Sequence, residues 1–211
     1  MSDSPPLDPE RIVEVLDRHG VRYVLVGGMG ARAHGATRRT YDLDLCPAWH
    51  PDNLECLAAA LCELDARLRG IPDDVVFPPI TGATLRGIEF GTWTTAAGDL
   101  DTLHDIPSTD RQHPNTYDEL VQRATTREFL GCTIYVADLA DIIASKEAAG
   151  RDKDRAALPE LRALQAARLA GAAYPEGIEA ALGERNDPSP PVERPGSDRD
   201  YGRDPPGRTL T

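Results

Sequence analysis

A six-residue run from Val21 to Val26, rich in β-branched and aromatic side chains, stops at the pair Gly27-Gly28, and a second run from Thr40 to Leu45 alternates polar and apolar residues without a break. Two strand signals this close together constrain the fold more than any other feature of the chain. The first run, interrupted only by Arg22, predicts a buried strand. The second has the period of a strand with one apolar face and one polar face, the latter carrying Thr40, Asp42 and Asp44. A short helix, Met29 to His34, fits between them.

Helical periodicity surrounds this pair. Asp8 before Pro9 reads as an N-cap and first helical position, with Ile12, Val13 and Leu16 as the inward face and Gly20 as the stop. Leu54, Leu57, Leu61, Leu64 and Leu68 recur at spacings of three and four and predict one long amphipathic helix. Residues 70–87, rich in Pro and Gly, predict a loop. Strands follow at 88–95 and 99–104, and a hairpin through Gly131 joins 126–130 to 132–136. Asp138 caps a helix whose Leu139, Ile142 and Ile143 face inward and which Gly150 closes. A last helical stretch covers 152–182, interrupted or kinked near Pro159.

From Glu184 on there are six prolines, eleven charged residues and almost nothing apolar, which predicts a disordered tail. The expected organisation is therefore an α/β (α+β) core over 1–136, a C-terminal helical part over 137–183 and a tail over 184–211.

Composition narrows the function classes. Acidic residues number 35 against 23 basic ones, a net charge of −12, which opposes nonspecific adhesion to nucleic acid while leaving room for a local basic cleft. No apolar run approaches the roughly 18 residues of a membrane span, and Met1 to Pro6 has no secretory pattern, so a cytoplasmic location is expected. Cys46, Cys56, Cys62 and Cys132 show no CxxC pair and read as buried thiols. His19, His34, His50, His104 and His113 lie too far apart for metal-ligand spacing, and neither a GxSxG elbow nor a Walker A loop is present.

The residues that carry chemistry lie in order along the chain. A diglycine between strand and helix lets backbone N–H groups approach an anion, although Gly-Gly is more often a plain turn. Asp42 and Asp44, at i and i+2 of a strand, point to one face, where like charges call for a cation, and Mg²⁺ suits carboxylate oxygens. A lone Asp-x-Asp is more often a solvated strand face. Asp99-Leu100-Asp101 adds carboxylates that either join the first pair from a second strand or flank a turn after Gly98. Lys146 is one of only two lysines beside 21 arginines, and it follows Ile143, Ile142 and Leu139 on the inward helix face, where an ammonium needs an anion unless it snorkels outward. Beyond it, Gly150 to Arg155 is a charge-dense turn in which Asp154 can orient Lys146 or Lys153 and Arg151 can face phosphate, or which forms plain surface ion pairs.

Val24 to Gly28, Arg39 to Asp44, Gly98 to Asp101 and Ser145 to Asp154 together resemble the nucleotidyltransferase (polymerase-beta-like) superfamily over residues 10–170. The branch it looks most like is that of the bacterial toxin nucleotidyltransferases of the AbiEii and MenT kind. The resemblance implies a mixed sheet flanked by helices and Mg²⁺-dependent transfer of NMP from an NTP. For the toxin branch it also implies the 3′ end of tRNA as acceptor and a neighbouring antitoxin as partner. By position, Gly27 and Gly28 match the phosphate-binding turn, Asp42 and Asp44 the metal ligands, and Asp101 the third carboxylate and base. Lys146 matches the lysine that holds the triphosphate, and Asp154 the acidic residue of the final helix. Arg39 and Thr40, with Arg151 and Lys153, fall beside the phosphates. Gly28 departs from the serine that many members carry, and the extra Asp99 leaves the identity of the third carboxylate open.

For an RNA acceptor, Arg32, Arg38, Arg39, Arg151, Lys153 and Arg155 are expected to form a basic rim. The same chemistry on an aminoglycoside-like small molecule or a protein is the alternative, since an acidic exterior suits a cationic acceptor. A non-catalytic nucleotide-binding module is the third reading.

Overall fold

The computed structural model describes residues 5–71, 77–108, 110 and 113–173. In chain order the elements are α1 (Pro9–Arg18), β1 (Tyr23–Leu25), α2 (Gly27–Ala33), β2 (Asp42–Pro47), α3 (Pro51–Glu63), β3 (Arg67–Leu68), α4 (Gly82–Arg86), β4 (Phe90–Thr95) and β5 (Gly98–Leu103). They continue with β6 (Asp105–Ile106), β7 (Asn115–Thr116), α5 (Tyr117–Val121), β8 (Thr125–Phe129), β9 (Cys132–Val136), α6 (Leu139–Ala149) and α7 (Asp152–Leu169). Seven strands form one mixed sheet in the order β3-β4-β5-β2-β1-β9-β8, flanked by helices, and β6 pairs with β7 separately.

The alternation of β2 fixes what each sheet face meets. Leu43 and Leu45 are fully buried on one face in a core shared with Ile12, Leu16, Leu54, Leu57, Leu61, Trp93 and Leu100, which packs α1 and α3 onto the sheet. Each such side chain withdrawn from water contributes roughly 1.5–3 kcal/mol. Cys46 continues the row of Asp42 and Asp44 on the other face and packs in a second core with Val24, Val26, Ile142, Ile143, Leu158 and Leu161, which brings in α6 and α7. Leu103 extends the row of Asp99 and Asp101 into the same core. The acidic ends of two strand rows and the two C-terminal helices therefore share one side of the sheet.

Local signals account for the element ends. The Asp8 carboxylate accepts from the Arg11 N–H at 3.1 Å at the start of α1, and the Asp138 carboxylate accepts from the Ala140 N–H at 2.8 Å at the start of α6. Gly150 closes α6 in the left-handed conformation at φ 59°. Asn53 is buried and clips the end of β2 to the residue before β1, accepting from the Arg22 N–H and donating to the carbonyls of Arg22 and Ala48.

Several expectations are corrected. The leucine helix stops at Glu63, because Asp65 takes φ 52° and the chain turns back, so Leu68 sits in β3. The stretch expected to be loop contains α4, capped by the Thr81 hydroxyl on the Thr84 N–H. The diglycine forms the first turn of α2 and not a connection before it. α7 runs on through Pro159 and ends at Leu169, with Gly171 at φ 90° just beyond. The remainder of the predicted helix from 174 to 182 and the tail from 184 lie outside the described residues. Of the four free thiols only Cys46 is buried, and burial pushes it up to about 12, whereas Cys62 is exposed. No helix among the described residues is long and apolar enough to cross a membrane.

Candidate active site

The parallel pairing of β2 with β5 places Asp42 beside Asp99 and Asp44 beside Asp101. Neighbours in register on adjacent strands share a face, so four carboxylates stand on one side of the sheet. Three of them converge: Asp42, Asp44 and Asp101 each offer an oxygen within 4.8 Å of the others. Among the described residues no other group of His, Cys, Asp or Glu does so. Asp99, the fourth, is 4% exposed and turns its carboxylate to Arg69 at 2.8 Å and to the Thr94 hydroxyl at 3.3 Å. Asp101, and not Asp99, is therefore the carboxylate that joins the first pair.

Close packing around this group depends on missing side chains. Gly27 has φ +60°, and a Cβ there would lie 1.9 Å from Asp44 Oδ2. A Cβ on Gly28 would lie 2.5 Å from Thr40 Oγ1. The Gly28 N–H donates to Asp44 Oδ2 at 3.3 Å, and the Thr40 hydroxyl donates to Asp42 Oδ1 at 2.9 Å. Without side chains the first turn of α2 thus lies directly on the carboxylates.

The electrostatics follow from crowding. Burial, and then the charges of Asp42 and Asp101, push Asp44 up to about 7, although the Gly28 amide and Lys153 pull the other way. Burial pushes Asp101 up to about 6 against the opposing charge of Arg69, with Asp42 adding to the rise. Carboxylates raised in this way lack a sufficient positive charge among their neighbours.

The C-terminal helices carry the complementary charge. Gly30 lets α6 come close to α2, since a Cβ there would stand 3.2 Å from Ile142 Cδ1. Lys146 is 16% exposed on α6 and its Nζ lies 3.5 Å from Asp154 Oδ1. Asp154, 1% exposed, also accepts from Arg151 Nε at 2.5 Å. Burial alone would raise the Asp154 carboxyl, but hydrogen bonds and charge from Arg151 and Lys146 outweigh it and hold it below the usual range. Arg151 is raised first by its hydrogen bond to Asp154 and further by the charges of Asp44 and Asp42, so it sits in the field of the carboxylate group.

The sequence-predicted residues thus fall into two neighbouring clusters, Asp42, Asp44 and Asp101 with Gly27, Gly28 and Thr40, and Lys146, Arg151 and Asp154. Lys153 is exposed, and its charge acts on Asp44. Arg39 is exposed with its guanidinium 6.0 Å from the Tyr41 ring centre. The expected basic rim is reduced. Arg32 is buried, and Arg155 is engaged by Asp152 and by the Gly150 carbonyl. One residue was missed altogether. Arg69, just past β3, reaches both Asp99 and Asp101. The alternation Arg67, Leu68, Arg69 has the strand period that signals its side, but the leucine spacing masks it.

No family model and no curated protein matches the sequence. Among solved structures the chain is similar to the antibiotic-resistance factor ANT(2'')-Ia in solution, at 17% identity over 82% of this chain and 86% of that one, with a TM-score of 0.46. It is also similar to a crystal structure of ANT(2'')-Ia in complex with adenylyl-2''-tobramycin, at 16% identity over 77% and 95%, TM-score 0.44. A Thermotoga maritima protein described as a nucleotidyltransferase gives 15% identity over 72% and 89%, TM-score 0.45.

Proposed function

We propose that the chain is a Mg²⁺-dependent nucleotidyltransferase that moves NMP from an NTP to an acceptor hydroxyl and releases pyrophosphate. The observation that carries this reading is the convergence of Asp42, Asp44 and Asp101 within 4.8 Å, on the sheet face that α6 and α7 cover. The residues fit Mg²⁺: the donor set is all carboxylate oxygen, and the burial and like charge that raise Asp44 to about 7 are what a hard divalent cation offsets. Asp42, Asp44 and Asp101 would hold it. When bound, the ion supplies positive charge for the α-phosphate and the leaving pyrophosphate.

The remaining chemistry belongs to the chain. Lys146, Arg151 and Lys153 bind the triphosphate, with Arg39 and Thr40 beside it, and the bare first turn of α2 at Gly27 and Gly28 admits it closely. Asp154 orients Lys146 and Arg151 by accepting hydrogen bonds from both. Asp101 takes the proton of the acceptor hydroxyl as its oxygen bonds to the α-phosphorus. The bond from that phosphorus to the bridging oxygen breaks and pyrophosphate departs with the electron pair.

In its finer form the reading places the acceptor at the 3′ end of tRNA and makes the chain a cytoplasmic toxin with a cognate antitoxin. This rests on the sequence resemblance and on the exposed Arg38, Arg39 and Lys153. A second reading keeps the chemistry but takes a cationic small molecule of the aminoglycoside kind, or a protein, as acceptor. It is favoured by the net charge of −12 and by the loss of Arg32 from the rim.

One assay separates them. Each labelled NTP with Mg²⁺ is offered total tRNA, an aminoglycoside panel or the protein alone, with Asp42→Asn as blank. Label in tRNA supports the toxin reading, label in the small molecules or protein supports the second, and label in none leaves a nucleotide-binding module and defeats the enzyme.

A further inference from the structure

Asp99 stands in register beside Asp42 yet is absent from the converging group, and its partner is a residue from a third strand segment. Arg69 leaves β3 with its backbone still bound to the sheet, its N–H donating to the Thr92 carbonyl at 2.7 Å. From that fixed base the side chain, 31% exposed, spans two residues of β5: Nη1 donates to Asp99 Oδ2 at 2.8 Å and Nη2 donates to Asp101 Oδ1. Its Nε is buried without a partner, so the fork is committed to these two carboxylates.

A planar guanidinium gripping two neighbouring carboxylates removes the freedom of both, which a single ammonium cannot do. Asp101 is the member of the converging group that comes from a strand other than β2, and so the one whose orientation the Asp42–Asp44 strand cannot set. Four carboxylates crowd this face, and Arg69 is the cation that touches two of them.

We propose that Arg69 and Asp99 form a positioning pair for Asp101: Asp99 anchors the guanidinium, and the guanidinium fixes the Asp101 carboxylate toward Asp42 and Asp44 while limiting the negative charge that the cation site presents. The pair deepens the nucleotidyltransferase reading and rests on it for its effect on turnover. Its effect on charge at the site is independent of any acceptor.

The test compares Arg69→Ala, Arg69→Lys and Asp99→Asn with the unaltered full chain in two measurements, Mn²⁺ binding followed by electron paramagnetic resonance and steady-state transfer. Arg69→Ala removes a cation from the acidic face, and its Mn²⁺ affinity is expected to rise roughly fivefold, while kcat falls by up to about 10²-fold and KM for NTP stays within twofold. Asp99→Asn leaves the guanidinium wholly to Asp101, and Mn²⁺ affinity falls. Arg69→Lys keeps the charge and loses the fork, so Mn²⁺ affinity is unchanged while kcat falls about tenfold. The lysine variant also guards against misfolding of the alanine variant. Full activity of Arg69→Lys, or a loss of Mn²⁺ binding in Arg69→Ala together with its turnover, overturns the proposal. If the unaltered chain transfers nothing, the enzyme reading fails on its own. The opposite shifts of Arg69→Ala and Asp99→Asn in Mn²⁺ affinity then still support the pair, and three equal affinities overturn it.

Discussion

Two charged clusters lie on the same side of the sheet and are built in opposite ways. The carboxylate group draws on two strands distant in sequence, with acids crowded around too little positive charge, and its members are pushed up to about 7 at Asp44 and about 6 at Asp101. The corner between α6 and α7 is local: one buried acid, Asp154, is gripped by Arg151 three residues away and Lys146 eight residues away, and is held low. The first cluster is frustrated without a cation and the second is already satisfied. Acids gathered from distant strands keep their repulsion, whereas an acid gripped by cations from its own helix corner has its charge settled internally.

The largest expected break of this contrast is Asp44→Asn. Removing a ligand from the crowded cluster should lower transfer on the order of 10³-fold, yet the metal-free protein should melt at a higher temperature because like charges are relieved. A lower melting temperature in chelator would show that the cluster is not under strain. Next comes Gly27→Ala, whose Cβ would collide with Asp44 in a backbone conformation suited to glycine. Activity should vanish, with stability down by about 3 kcal/mol or more, as read by urea unfolding.

Asp154→Ala attacks the satisfied cluster and leaves two cations unpartnered. Because Arg151 is largely exposed, the loss should reach about 2 kcal/mol, with KM for NTP raised more than kcat is lowered, a split that steady-state kinetics checks.

The smallest effect is in pH. Between the ordinary carboxylate value near 4 and the raised values at Asp101 and Asp44, the folded state holds more protons than the unfolded state. Stability of the metal-free protein therefore falls as pH rises through about 4 to 7, and the loss is complete above that. Asp154 acts in the reverse sense: its contribution is fully present above the ordinary carboxylate value and is lost as pH falls from there to its lowered folded value. Calorimetry in chelator should show a decline of roughly 5 °C from pH 5 to 8, and saturating Mg²⁺ should flatten it. An identical slope with and without Mg²⁺ would separate the titration from the cation site.

Much of this was legible in the residues. Caps at Asp8 and Asp138, the stop at Gly150, the alternation through Asp42 and Asp44 and the inward face of Lys146 are all set by neighbours within a few turns, and each stands where the spacing put it. The leucine repeat misled at Leu68, because a left-handed Asp65 ends the helix and spacing does not register a single backbone inversion. Arg32 looked like part of a rim because a charged residue on a short helix is usually exposed; in the fold α2 is buried and takes Arg32 with it.

By itself, then, the sequence determined most of the longer elements, the shared face of Asp42 and Asp44, and the nearness of Lys146 to Asp154, since these depend on covalent neighbours and on fixed helical and strand periods. Tertiary structure decided which carboxylate joins that pair and which arginine attends it. Asp101 meets Asp44, and Asp99 turns to Arg69, through the register of β5 against β2 and the return of the chain into β3. Such register is chosen by packing Leu43, Leu45, Leu100 and Trp93 into one core, a long-range balance that no short window of residues contains.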